Sequence, residues 1–109
     1  MTTRVVNIRT LPHDPSFWPD GAVYIGRRAR GGPTGWLEAS PWANPFSIGV
    51  HGDRDEVVAR FERWIGGVPH LMERLPELKD KTLVCWCAPA RCHGDVLARL
   101  ADAEKGRTP

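Results

Sequence analysis

The residues best suited to chemistry lie in one stretch, residues 82–97, which contains every cysteine of the chain. It places thiols at Cys85, Cys87 and Cys92 and an imidazole at His93. Three thiolates and one imidazole form a tetrahedral ligand set for zinc. Cys85 and Cys87 would face the same side of a strand, and a turn can return Cys92 and His93 to them. We therefore predict a zinc site that uses at least three of these four side chains, although their spacing is not a common one for zinc.

A reactive, metal-free site is a second interpretation of the same stretch. Cys92 and His93 would begin a helix, whose dipole lowers the pKa of a thiol at that end, and a neighbouring histidine can take the thiol proton. Asp95, in the first helical turn, could orient that histidine or bind a ligand hydroxyl. His93 and Asp95 are therefore the candidate catalytic residues.

Two further interpretations give the cysteines a purely structural role. Free cysteines are among the most buried residues of proteins, so all three thiols could belong to the core. A disulfide is the least favoured arrangement, because Cys85 and Cys87 on one strand face have a divergent geometry. An odd number of cysteines also leaves one of them unpaired.

Glycine and arginine dominate the loop that follows a predicted strand at residues 22–27. Gly26, Arg27 and Arg28 can direct backbone N–H groups and guanidinium groups at a phosphate. Neither a P-loop nor a G-x-G-x-x-G pattern is present. An exposed loop with solvated arginines is therefore the alternative.

Residues 33–50 form a long irregular segment that is too rich in aromatic residues to be disordered. Trp36, Trp42 and Phe46 can stack on a base or another planar ligand, or they can supply core to a domain with few strands. Asn44 is held extended by the proline after it and can present its amide outward. The predicted ligand-binding residues are Gly26, Arg27, Arg28, Trp42 and Asn44.

The predicted strands indicate an α/β fold. They lie at residues 4–9, 22–27 and 83–87, and residues 46–50 are a candidate fourth strand. The order strand, strand, long loop, helix, strand, helix indicates a small single-domain, Rossmann-like open sheet with flanking helices. We expect three to four strands, mainly parallel. Ligands of such sheets bind at the carboxyl ends of the strands, where the cysteine stretch and the arginine loop both lie.

Helices are predicted in three places. Asp53 begins the first with a capping-box pattern, and Gly66-Gly67 ends it. A short second helix is expected within residues 68–75. The last helix is expected from about residue 94 to residue 104, directly after the cysteine stretch.

Length and composition limit the remaining possibilities. A chain of 109 residues forms one domain, 1–109, with residues 1–3 and 105–109 expected to be frayed. Its net charge of +2 is too small to indicate nucleic-acid binding by itself. No run of about 18 apolar residues predicts a membrane span. Unpaired cysteines without the apolar core of a signal peptide indicate a cytoplasmic protein.

Four segments, in order, carry a family resemblance. They are VVNIR at residues 5–9, VYIGR at 23–27, WANPFSIG at 42–49, and CWCAP with CHGDVL between residues 85 and 97. Together they resemble the family known as domain of unknown function 4326, small proteins of bacteria and phages. The family is uncharacterised, so the resemblance implies no established activity. It leads us to expect a glycine where this chain has Ala43.

Two hypotheses for function follow. In the first, the domain binds or processes a nucleotide or nucleoside, with transfer or cleavage at a ribosyl (N-glycosyl) bond as the reaction class. That hypothesis rests on a remote likeness of architecture, which does not establish function. In the second, a non-catalytic module stapled by zinc docks on a host or phage protein or on nucleic acid. The sequence leaves open whether the protein is an enzyme.

Overall fold

A three-stranded parallel sheet forms the centre of the fold in the computed structural model, which describes residues 3–30 and 35–103. Its strands are β1 (Arg4–Asn7), β2 (Ala22–Tyr24) and β5 (Thr82–Cys85), in the spatial order β1-β5-β2. The short strands β3 (Ala29–Arg30) and β4 (Trp36–Leu37) form a separate antiparallel pair. The predicted α/β class with a mainly parallel sheet of three strands is therefore confirmed.

The central strand is β5, and its sequence explains that position. All four of its residues, TLVC, are buried, whereas β1 and β2 are only partly buried. A strand that is covered on both faces needs a continuous apolar run rather than an alternating one. Leu83 lies beside Val5 of β1 and Val23 of β2 in the sheet register. All three carboxyl ends therefore lie at one edge of the sheet.

In the described part of the chain, three α-helices accompany the sheet: α1 (Arg54–Ile65), α2 (Pro69–Met72) and α3 (His93–Ala103). The predicted capping box at the start of α1 is present, because Asp53 accepts from the Glu56 N–H while Glu56 accepts from the Asp53 N–H. α3 packs against α1, β1 and β5. Within residues 3–30 and 35–103, no helix combines the length and apolar character needed to cross a membrane.

Several expectations about local structure were wrong, among them the strand ends predicted at residues 27 and 87, since β2 ends at Tyr24 and β5 ends at Cys85. Residues 46–50 form bends and turns rather than a fourth strand of the sheet. The extra strands are instead β3 and β4, which pair with each other. β1 also ends at Asn7 instead of residue 9, because the Asn7 side chain accepts from the Arg9 N–H and starts a 3-10 turn.

Thr3 was expected at a frayed end, but it is buried and anchored. Its hydroxyl donates to Asp102 Oδ1 at 2.8 Å, and its backbone N–H contacts the same oxygen at 3.1 Å. These bonds join the start of β1 to the end of α3. The rest of the predicted ends, residues 1–2 and 105–109, lies outside the described residues.

Gly94, in the first turn of α3, allows that helix to approach the sheet closely. A Cβ atom at this position would lie 2.8 Å from Ile25 Cδ1 and 3.0 Å from Val5 Cγ1. Both distances are shorter than ordinary van der Waals contact, so a side chain here would force Ile25, Val5 or the start of α3 to shift. Since Cys92 and His93 directly precede Gly94, a shift of the helix start would move them.

We expect Gly94→Ala to lower the free energy of unfolding by about 1–3 kcal/mol, the usual cost of overpacking. Gly66→Ala is the matched control, because a Cβ there would meet nothing closer than 3.7 Å and its backbone is already helical. That control should leave stability unchanged or raise it by up to about 1 kcal/mol. Urea unfolding of both variants measures the difference, and equal stabilities would contradict the packing argument.

Candidate functional site

A pocket of about 360 Å³ opens beyond the carboxyl ends of β2 and β5, next to the first turns of α1 and α3. Its wall consists of residues 26–29, 44 and 46–48, 54, 57 and 58, 85–87 and 91–93. The carboxyl edge of a parallel sheet is the usual ligand position in open α/β folds. The sequence analysis placed the site at this edge for the same reason.

Most of the predicted site residues line this one pocket. The glycine–arginine loop contributes Gly26, Arg27 and Arg28, the long loop contributes Asn44, and the cysteine stretch contributes all three thiols and His93. Segments distant in sequence therefore meet at one wall. Trp42 and Asp95 are not among the lining residues that the structure describes.

Trp42 belongs to the hydrophobic core. Only 2% of its surface is exposed, and the Arg74 guanidinium lies 5.7 Å from its ring centre. A ligand cannot stack on a ring that is already covered by protein on this scale. The structure therefore agrees with the alternative interpretation, in which the tryptophan supplies core to a small domain. The side chain of Trp36 lies outside the described residues.

Asp95 makes a structural contact at the start of α3. Its Oδ2 accepts from the Cys92 N–H at 3.0 Å, which satisfies a backbone donor just before the helix and places a negative charge at its positive end. The carboxylate neither lines the pocket nor contacts His93 in a hydrogen bond. Its predicted catalytic position is therefore not supported by the geometry.

His93 lies in the pocket wall with one ring nitrogen already engaged. Its Nε2 lies 2.8 Å from the Ile25 carbonyl oxygen, and because a carbonyl only accepts, Nε2 carries the proton. Phe61 packs edge-on against the ring, with centroids 5.0 Å apart. Burial lowers the pKa of His93, which favours the neutral imidazole. Any base function therefore falls to Nδ1.

Arg27 and Asn44 hold each other as part of the wall. The Arg27 guanidinium donates to the Asn44 carbonyl oxygen at 2.7 Å and 3.0 Å and to the Phe46 carbonyl oxygen at 2.8 Å. The Asn44 side chain donates to the Val57 carbonyl oxygen at 3.2 Å and accepts from the Phe46 N–H at 2.9 Å. These bonds fix the long loop against α1. Arg27 therefore supports the wall of the pocket through its own hydrogen bonds, independently of any contact with a ligand.

Sequence reasoning missed several lining residues, and three of them carry a charge or a large aromatic ring: Arg54, Arg91 and Trp86. Arg54 donates to the Arg91 carbonyl oxygen at 3.1 Å, and Arg91 pairs with Asp55 at 3.0 Å. The Trp86 indole donates to the Tyr24 hydroxyl at 2.8 Å. A usable signal existed for two of them, because Trp86 and Arg91 fall within the cysteine stretch. Arg54 is brought to the pocket only by the packing of α1.

The two buried thiols, Cys85 and Cys92, form a pair at the pocket wall, with their sulfur atoms 3.5 Å apart. The Cys92 S–H donates to Cys85, which lowers the pKa of Cys85 from 9.0 to about 6, and the Ala88 N–H at 3.3 Å adds to this effect. The same contact, together with burial, raises the pKa of Cys92. Cys87 lies in the same wall and is partly exposed. Within the pair, the Cys85 thiol therefore loses its proton at a lower pH than the Cys92 thiol.

The four predicted zinc ligands do not form one set. Across residues 3–30 and 35–103, no group of three or more His, Cys, Asp and Glu side chains is arranged to hold a metal ion. β5 ends at Cys85, so the expected strand geometry does not extend to Cys87, and His93 Nε2 contacts the Ile25 carbonyl. Zinc stays a prediction, which elemental analysis of protein purified without a metal-affinity tag can test.

The loop between β5 and α3 is held by Asn7 at the end of β1. The Asn7 amide donates to the carbonyl oxygens of Trp86 at 3.1 Å and Ala88 at 2.8 Å. Two bonds from a neighbouring strand satisfy backbone acceptors that the loop cannot satisfy itself. The shape of the thiol-bearing wall thus depends on a residue almost eighty positions earlier in the chain.

Comparisons with known proteins identify relatives of unknown activity. The model of a family described as "Domain of unknown function (DUF4326)" matches residues 8–103. The chain is 40% identical over 87 residues to "Uncharacterized protein R718" of Acanthamoeba polyphaga mimivirus. That alignment covers 72% of this chain and 65% of the viral protein, so the chain spans less than two thirds of that relative. No solved structure matches the chain.

We expect one thiol to ionise with a pKa of about 6 in the folded protein. Cys92→Ala removes the S–H donor, so the pKa of Cys85 should rise towards its ordinary value of 9.0. Cys87→Ala is the matched control and should leave the low pKa in place. Ultraviolet thiolate absorbance against pH measures both. The pairing is wrong if Cys87→Ala, rather than Cys92→Ala, removes the low transition.

The thiol pair should also give stability a definite pH dependence. Between pH 6 and 9 the unfolded chain binds more protons than the folded chain, because the folded pKa of Cys85 is lowered from 9.0 to about 6, so stability rises with pH. Above 9 the unfolded chain binds fewer protons, because the pKa of Cys92 is raised, so stability falls. Urea unfolding measured from pH 6 to above pH 9 should therefore show a maximum of stability near pH 9. A Cys85→Ala, Cys92→Ala double variant should lose that maximum.

Proposed function

We propose that this chain, which belongs to the family described as "Domain of unknown function (DUF4326)", binds a nucleotide in the pocket beyond β2 and β5. The observation that carries the proposal is the composition of the wall. Four arginines, Arg27, Arg28, Arg54 and Arg91, line the same pocket as two aromatic rings. A nucleotide joins an anionic phosphate to a planar base, which matches both features.

The charge of the wall favours an anionic ligand. Among the described lining residues there are arginines but no aspartate or glutamate, although the whole chain has a net charge of only +2. A concave surface of one sign concentrates ligands of the opposite sign. Arginine also matches the geometry of phosphate oxygens with paired N–H donors.

The size and apolar part of the wall favour a ligand with a planar group. The volume of about 360 Å³ lies in the range of small-molecule sites, roughly 300–1,000 Å³. Phe46 and Trp86 provide rings, and Ile48, Val57 and Val58 provide aliphatic surface. Trp86 is 38% exposed, so part of its ring is accessible to a base. It takes the stacking role that the sequence analysis gave to Trp42.

Binding has more support here than cleavage of a ribosyl bond. Glycosyl chemistry typically relies on carboxylates beside the reacting carbon, and Asp95 is occupied at the start of α3. His93 offers only Nδ1, and its Nε2 is bound to a backbone carbonyl. The alternative is a docking module held together by zinc. Among its four predicted ligands, one contact between sulfur atoms supports it, that between Cys85 and Cys92. We therefore propose nucleotide binding without assigning a reaction.

A panel of nucleoside mono-, di- and triphosphates should quench tryptophan fluorescence and raise the melting temperature, because a ligand specific for the native state stabilises it. Arg91→Gln should weaken binding about tenfold, the effect of losing one charge-assisted hydrogen bond. The matching nucleosides, which lack phosphate, should be unaffected by that substitution. Titration by fluorescence gives both affinities.

Arg99→Gln is the matched control for this experiment. Arg99 pairs with Glu62 of α1 at 2.7 Å, as Arg91 pairs with Asp55, and both side chains are about half exposed. Only Arg91 lines the pocket. Equal losses in the two variants would mean that general charge, not the pocket, attracts the ligand. No change in either signal with any nucleotide would exclude the proposed function.

A further inference from the structure

Cys85 and Cys92 are already close to the geometry of a covalent pair. Their sulfur atoms are 3.5 Å apart, and a disulfide requires about 2.05 Å, so the two atoms must approach by about 1.5 Å. Cys85 ends β5 and Cys92 immediately precedes α3. The loop of residues 86–91 therefore brings together two thiols that are seven residues apart.

Cys87 occupies a different position, although it is nearer to Cys85 in sequence. It lies past the end of β5, in the turn that follows the strand. Its carbonyl oxygen accepts from the Ala90 N–H at 2.9 Å, and the sulfur–sulfur hydrogen bond of the described residues joins Cys92 to Cys85 instead. The fold thus selects one pair out of the three that three cysteines allow.

Access to the pair is narrow. Cys85 is 2% exposed and Cys92 is 3% exposed, yet both belong to the wall of the pocket. A reagent the size of hydrogen peroxide, little larger than water, can reach sulfur atoms in such a wall. A bulky aromatic disulfide reagent needs more room and meets the partly exposed Cys87 first.

We propose that Cys85 and Cys92 are a redox-active dithiol, which a hydroperoxide admitted by the pocket converts into a disulfide. Cys85 is the attacking sulfur, because it accepts hydrogen bonds from the Cys92 S–H and the Ala88 N–H. It attacks the O–O bond, forms a sulfenic acid and releases water or an alcohol. The Cys92 sulfur then displaces hydroxide, which leaves as water with the Cys92 proton.

The balance of the reaction is complete. Two thiols lose two electrons and two protons, the peroxide accepts both, and the products are one disulfide and two molecules of water when the oxidant is hydrogen peroxide. A dithiol such as dithiothreitol reverses the step by thiol–disulfide exchange. This inference is independent of the nucleotide proposal, since it concerns only the two sulfurs and a small oxidant.

Peptide mapping of the full chain tests the pairing directly. Trypsin cleaves after Lys81, Arg91 and Arg99, so Cys85 and Cys87 fall in the peptide 82–91 and Cys92 falls in the peptide 92–99. After treatment with hydrogen peroxide and alkylation of the remaining thiols, we expect these two peptides to be joined. Fragmentation of the joined peptides should place the alkyl group on Cys87.

Single substitutions of each cysteine test which two residues form the disulfide. Cys87→Ser is the matched control and should form the bond as readily as the natural chain, whereas Cys85→Ser and Cys92→Ser should not form it. Circular dichroism shows whether these two variants fold, and the mapping of the natural chain does not depend on them. Before oxidation, a bulky aromatic disulfide should titrate Cys87 faster than the buried pair.

Several results would overturn the proposal. A bond between Cys87 and Cys92, or one formed only between separate chains, would assign the chemistry elsewhere. Three thiols that remain alkylatable after peroxide treatment and unfolding would show that no bond forms. Protein purified with one metal ion per chain that protects all three thiols from peroxide would assign the cluster to metal binding instead.

Discussion

The burial of β5 on both faces is the constraint on which the rest of the structure depends. Its run of four buried residues pairs in parallel with β1 on one side and β2 on the other. A strand enclosed in this way has no exposed face, as is usual in a parallel sheet covered on both sides. Because the strands run parallel, the loops after β2 and β5 share one edge, and that edge carries the pocket.

The pocket owes its positive charge to arginine side chains rather than to the ends of its helices. Asp53 accepts from the Glu56 N–H at the start of α1, and Asp95 accepts from the Cys92 N–H at the start of α3. Both helix ends therefore already have negative charge beside their backbone donors, which offsets the helix dipole there. This also changes the explanation for a reactive thiol, because the low pKa of Cys85 follows mainly from its hydrogen bond with Cys92.

Several residues in the wall of the pocket or bonded to it form hydrogen bonds that link distant parts of the chain. Ile25 donates its N–H to Val84 of β5 and accepts from His93 of α3, so one residue joins β2, β5 and the helix. Asn7 bonds the thiol-bearing loop from β1, and Arg27 braces the long loop. A substitution at any of these positions alters the shape of the pocket, so exposed Arg91 is the cleaner probe of ligand binding.

The sequence by itself predicted the three strands of the central sheet, the three helices and the edge of the sheet at which the loops meet. The apolar run before Cys85, the capping pattern at Asp53 and the glycines after α1 are local signals, read from neighbouring residues. Only the tertiary structure decided that Trp42 is core, that Asp95 serves the helix start, that Arg54 reaches the pocket, and that Cys85 meets Cys92 rather than Cys87. The physical reason is that burial and side-chain contacts depend on how separate elements pack, and the spacing of residues along one segment does not contain that information.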